Sequence, residues 1–96
     1  MRPVYTYAAR CGDFVKVGRT GDIKRRLAQL QVGNPLPVTL HGYCARDVER
    51  SAHEHLEICG VERVHGEWFR WDDETKYVLA GADIWPLDLM GAKEIL

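Results

Sequence analysis

The chain has 96 residues, 46% of them hydrophobic, and a formal net charge of -1. That length buries one modest core and leaves no room for a second, so a single compact α/β domain is expected. No apolar run approaches the roughly 20 residues a membrane-spanning helix needs, and Met1-Arg2-Pro3-Val4 lacks the apolar core of a secretory signal. A soluble, cytoplasmic protein without a membrane partner is therefore expected. Cys11, Cys44 and Cys59 are an odd, widely spaced set that suits free thiols better than a disulfide framework.

The near-zero net charge conceals an asymmetry. Residues 1–31 carry seven basic groups (Arg2, Arg10, Lys16, Arg19, Lys24, Arg25, Arg26) against Asp13 and Asp22, a balance of +5, and the remainder carries -6. A local positive surface attracts phosphate through counterion release whatever the total charge, so the sequence pI of 6.4 does not exclude a polyanionic partner.

In chain order, residues 3–9 and 14–18 are rich in Val, Tyr and Phe and are joined across Cys11-Gly12-Asp13, which predicts a β-hairpin. Thr20 or Asp22 caps a first helix whose apolar residues Ile23, Leu27 and Leu30 recur at helical spacing, and the helix ends before Gly33-Asn34-Pro35. Residues 38–44 alternate as a third strand. A second helix runs from about Asp47 to Cys59 and is closed by Gly60. A loop through Val64 leads to a short extended piece at residues 67–71. A third helix follows, capped by Asp72 or Asp73 and ended by Gly81. The domain is thus read as residues 1–81. Residues 82–96 form an apolar tail, from Ile84 to Met90, that packs on the domain or on a partner.

Helix geometry sorts the polar residues. At roughly 100° per residue, Val48, Ala52, Leu56 and Cys59 fall within an arc of about 80°, the buried stripe of the second helix. Glu49 projects only about 20° beyond Leu56, with His53 one turn further on, whereas Glu54 and Glu57 point away. On the first helix Arg26 lies about 40° from Leu30 and leans toward the sheet, while Arg25 faces outward. One carboxylate and one guanidinium are thereby directed at the same sheet.

Phosphodiester hydrolysis needs a polarising cation held by a carboxylate, a cationic clamp on the phosphate and a group to activate water. Glu49 suits Mg²⁺ or Mn²⁺, Arg26 suits the phosphate, and Tyr5 or Lys16 would orient or deprotonate water. Arg19, Lys24, Arg25 and His53 are left as candidate DNA contacts.

These residues resemble a known family. Val4-Tyr5, then Lys16-Val17-Gly18, an arginine ten positions after Lys16, and a helix bearing Glu49 look like the GIY-YIG nuclease superfamily. The likeness is closer to its phage-type DNA-binding domain branch. That branch's further pieces stand here as Gly18-Arg19-Thr20, Arg26-Leu27, Glu49 with His53, and Gly66-Glu67-Trp68-Phe69. The likeness covers residues 3 to about 71. It implies an α/β/α sandwich around a three-stranded, mainly antiparallel sheet, and metal-dependent DNA endonuclease activity. By resemblance, Tyr5 takes the place of the first motif tyrosine, Arg26 of the catalytic arginine and Glu49 of the metal ligand. Pro3 stands where the first motif has glycine, and Lys16 where the second has tyrosine. The rival is a catalytically silent DNA-binding domain of the same fold, as a monomer or weak homodimer in either case. A zinc module built from Cys44, His53, His55, Cys59 and His65 is disfavoured, because His53 and His55 diverge by about 200° on a helix.

Overall fold

The computed structural model describes residues 2–87. Six strands form one sheet in the order β4-β5-β2-β1-β3-β6. They are β1 (Tyr5–Cys11), β2 (Phe14–Thr20), β3 (Val38–Cys44), β4 (Arg63–His65), β5 (Trp68–Arg70) and β6 (Trp85–Pro86). Every neighbouring pair is antiparallel. The expected three-stranded sheet is therefore the centre of a six-stranded one. The extended piece expected at residues 67–71 is β5, whereas β4 and β6, of three and two residues, carry no readable alternation.

Three helices flank the sheet: α1 (Ile23–Gln31), α2 (Glu49–Ile58) and α3 (Thr75–Gly81). Side-chain parity divides the core into two layers. Ala8 of β1, Val15 and Val17 of β2, and Phe69 of β5 pack with Ala52 and Leu56 of α2 and Leu79 of α3. Tyr7 and Ala9 pack on the opposite face with Ile23, and Tyr5, Leu27, Leu30 and Tyr43 border them. The parity of β3 changes midway. Ala9 pairs with Leu40 but Ala8 pairs with Gly42, so His41 is bulged and Tyr43 joins Val38 and Leu40 on the α1 side.

The Asp22 cap of α1 is as expected, whereas the N-cap positions of α2 and α3 are Val48 and Glu74, neither with a side-chain cap bond, and Asp72 serves the turn before α3 instead. Asp22 Oδ1 accepts the Arg25 amide at 3.0 Å and starts α1. Asp72 Oδ1 accepts the Glu74 and Thr75 amides at 2.9 and 3.1 Å ahead of α3. Cys59, expected on the buried stripe of α2, lies past its last turn and is exposed. The boundary at residue 81 moves outward, because Ile84 is fully buried and Trp85–Pro86 pairs with Gly42–Tyr43. A Cβ on Gly42 would sit 2.0 Å from the Trp85 carbonyl oxygen, so the last strand docks only because that position has no side chain. The expected tail beyond Leu87 lies outside the described residues. Among the described residues no helix is long and apolar enough to cross a membrane.

Candidate active site at the open edge of β2

The site forms where β5 stops short. β5 covers Phe14, Val15 and Lys16, and the Glu67 carbonyl takes the Val17 amide at 3.2 Å. Beyond Val17, β2 continues as far as Thr20 with only β1 recorded beside it. The α2 layer reaches this opening through His53, whose Nε2 lies 2.7 Å from the Val17 carbonyl oxygen. A carbonyl only accepts, so Nε2 donates and the neutral ring keeps Nδ1 as its lone-pair nitrogen. Phe69 supports the ring at 5.4 Å between centroids.

Glu49 at the start of α2, His53 one turn later, and Glu67 from the turn before β5 converge. Their ligand atoms all lie within 4.8 Å of one another, and all three residues are half-buried. Two carboxylates and an imidazole are a donor set for a divalent ion such as Mg²⁺ or Mn²⁺. Lys16 enters from β2, its Nζ 3.3 Å from Glu67 Oε1, with only 16% of its side chain exposed. Within the described residues, the zinc-type grouping of cysteines and histidines does not assemble; Glu49, His53 and Glu67 are the cluster that does.

The tyrosine that reaches this site is Tyr7. Tyr5, placed there by motif likeness, sits two residues away on the same face, where its ring meets Tyr43 edge-on at 6.1 Å. Tyr7 pairs across the ladder with Gly18 and lays its ring over it. A Cβ on Gly18 would lie 2.7 Å from the Tyr7 hydroxyl and 2.9 Å from its Cζ. Gly18 thus clears a path for the ring. The Tyr7 side chain is fully buried and its hydroxyl has no hydrogen-bond partner among the described residues. Burial raises its pKa above the ordinary 10.0; Arg26 pulls the value back down, while Glu67 and Glu49 push it up. The hydroxyl therefore feels the guanidinium and both carboxylates at once, and it stays protonated at neutral pH.

Arg26 is half-buried on α1 while Arg25 is exposed, as the helical arithmetic requires. Its Nε donates to Gln29 at 3.1 Å. Thr6, which carried no motif signal, fixes the other wall. Its hydroxyl donates to the Arg46 carbonyl at 2.8 Å and accepts the Val48 amide at 2.7 Å, tying β1 to the residue just before α2. Glu49 is held in place through that tie.

The other expected contacts lie around the opening. A cleft of about 410 Å³ runs between Arg2, Arg25 and Arg26, and a wider one of about 980 Å³ runs along Glu49 and His53 between Arg19, Arg46, Arg50 and Arg63. The loop from Arg19 to Asp22 separates the two. Arg19 is paired with Asp47 at 2.8 Å, a contact that lowers the Asp47 pKa. Lys24 is exposed on α1 and lines neither cleft. His53, expected as a DNA contact, lies with Glu49 and Glu67 and also lines the wider cleft.

Two clefts thus flank the loop from Arg19 to Asp22: one lined by Arg2, Arg25 and Arg26, and one in which arginines alternate with the acids they pair with beside Glu49 and His53. The chain belongs to the T5orf172 domain family, whose profile matches residues 3–85. This phage-type family is associated with DNA-binding and nuclease-like proteins. The match runs as far as β6, in keeping with a domain that ends beyond residue 81. No curated protein and no solved structure matches the chain.

Proposed function

We propose that the chain is a GIY-YIG-type endonuclease that hydrolyses DNA phosphodiester bonds with Mg²⁺ or Mn²⁺. The observation that carries this reading is the buried Tyr7 hydroxyl, which makes no close hydrogen bond among the described residues and lies within electrostatic reach of the Arg26 guanidinium and of the carboxylates of Glu49 and Glu67. Most buried tyrosine hydroxyls find a full partner, and a substrate oxygen would supply one here.

Each residue has a defined task. Arg26 binds the non-bridging oxygens of the scissile phosphate with its planar fork and offsets charge as it develops. Glu49, His53 and Glu67 fit a divalent ion, which when bound supplies charge neutralisation and acidifies water. Tyr7, held neutral by burial, donates a hydrogen bond to a non-bridging phosphate oxygen. Lys16 adds a second cation beside Glu67. Arg2, Arg25 and Arg19 hold the flanking backbone without reading bases.

Plasmid nicking tests this. Supercoiled DNA is converted to open circles with Mg²⁺ or Mn²⁺, and Glu49→Gln abolishes conversion while leaving salt-sensitive DNA binding intact. Binding without any metal-dependent nicking would establish the silent DNA-binding module instead.

A further inference from the structure

We infer that Lys16 is a place-holder for the divalent ion on Glu67, and that this exchange of partners couples cation binding to DNA binding. The inference rests on the function proposed above and adds a regulatory property to the same site. Lys16 Nζ lies 3.3 Å from a Glu67 oxygen, and the Glu67 ligand atom is within 4.8 Å of those of Glu49 and His53. A single carboxylate thus has an ammonium and a carboxylate-imidazole pair as neighbours at the same time.

The two cations cannot both be fully served by Glu67. A divalent ion among Glu49, His53 and Glu67 withdraws the charge that Lys16 now uses. Lys16 has little recourse to water, since only 16% of its side chain is exposed, against 39% for Glu67. Its other close partner is the Trp68 ring, 5.7 Å from Nζ, which is a weaker attraction than a carboxylate. Cation binding without DNA therefore leaves a half-buried ammonium short of an anion. A phosphate entering between Arg26 and the cluster supplies that anion, because Lys16 and Tyr7 come from neighbouring strands and share the α1 face of the sheet. Cation and phosphate then each strengthen the binding of the other, and by thermodynamic linkage by the same factor. The protein alone holds the ion weakly and holds it well once a backbone is in the clefts.

The test measures Mn²⁺ affinity by electron paramagnetic resonance on the full chain without DNA. Lys16→Met binds Mn²⁺ about fivefold tighter than the unaltered protein, and Glu67→Gln about tenfold weaker. In the Glu67→Gln background Lys16→Met changes the affinity by less than about twofold, because the competition runs through Glu67. Equal tightening in both backgrounds reports only the removal of a nearby positive charge and overturns the inference. In a second arm, the affinity for a fluorescent DNA duplex rises about fivefold on adding Ca²⁺, and by less than about twofold in Lys16→Met. An unchanged rise also overturns it, and Lys16→Gln repeats both arms if methionine disturbs folding. Saturable Mn²⁺ binding that depends on Glu49 but shows no Lys16 effect defeats this inference alone. Failure of every variant to bind Mn²⁺ defeats the metal-dependent reading with it.

Discussion

Replacing Tyr7 with phenylalanine separates function from stability in a way that few substitutions do. A buried hydroxyl without a partner costs about 1–3 kcal/mol of desolvation. The Tyr7 side chain is fully buried, and the guanidinium of Arg26 offsets only part of that cost. Tyr7→Phe keeps the ring over Gly18 and removes only the oxygen, so the variant should gain about 1 kcal/mol, or about 4–8 °C in melting temperature for a domain of this size. Nicking should fall about a hundredfold, the usual effect of deleting one donor aimed at developing charge. Urea denaturation and plasmid nicking, run on the same preparation, give both values. The pH dependence supplies a third. A pKa raised above 10.0 means that the folded state holds the proton more tightly, so this contribution to stability is complete below pH 10.0 and is lost as pH climbs through the raised value. The stability gap between Tyr7→Phe and the unaltered protein should widen above pH 10. A variant that loses stability at neutral pH would show that the hydroxyl is structurally bonded, and unchanged nicking would remove Tyr7 from the site.

Arg26→Ala should abolish nicking and weaken DNA binding with a shallower salt dependence, read by fluorescence anisotropy at several salt concentrations. Gly18→Ala places a Cβ 2.7 Å from the hydroxyl of an immobile ring and should cost about 1–3 kcal/mol in urea denaturation. That penalty should be strongly non-additive with Tyr7→Ala, which removes the clash. Thr6→Val strips the Arg46 carbonyl and the Val48 amide of their shared partner and should cost about 2 kcal/mol. Nicking should fall with it, since α2 and Glu49 lose their tie to β1.

Periodicity made the long elements legible. The stripe of α1, the inward lean of Arg26 and the Asp22 cap all follow from spacing, because a helix repeats its geometry over several turns. The choice between Tyr5 and Tyr7 could not be made that way. They lie two apart on one strand and share a face, so period-two reasoning treats them alike. The deciding fact is the cross-strand register that sets Tyr7 opposite Gly18, and register is a property of two strands together. The same limit hid the bulge at His41, which needs β1 as a ruler before an extra residue in β3 can be seen.

Glu67 shows how a local motif and a tertiary position differ. Gly66-Glu67-Trp68-Phe69 is conspicuous in the sequence, and its aromatic residues are readily assigned to packing. Nothing in that tetrapeptide reveals that β5 pairs with β2 only through Lys16 and then turns away. Had β5 been three residues longer at its start, it would have covered the edge of β2 at Gly18 and Arg19 and closed the way from α2 to the α1 face. The short strand leaves its preceding turn beside the end of the ladder, so Glu67 meets both Lys16 and the pair Glu49 and His53. The early end of β5 is therefore what lets residues from both layers of the core share one opening. Extending it should extinguish nicking even with every candidate catalytic residue intact. Inserting two residues between Gly66 and Glu67 provides that test, with retained DNA binding and lost activity as the expected pair of results.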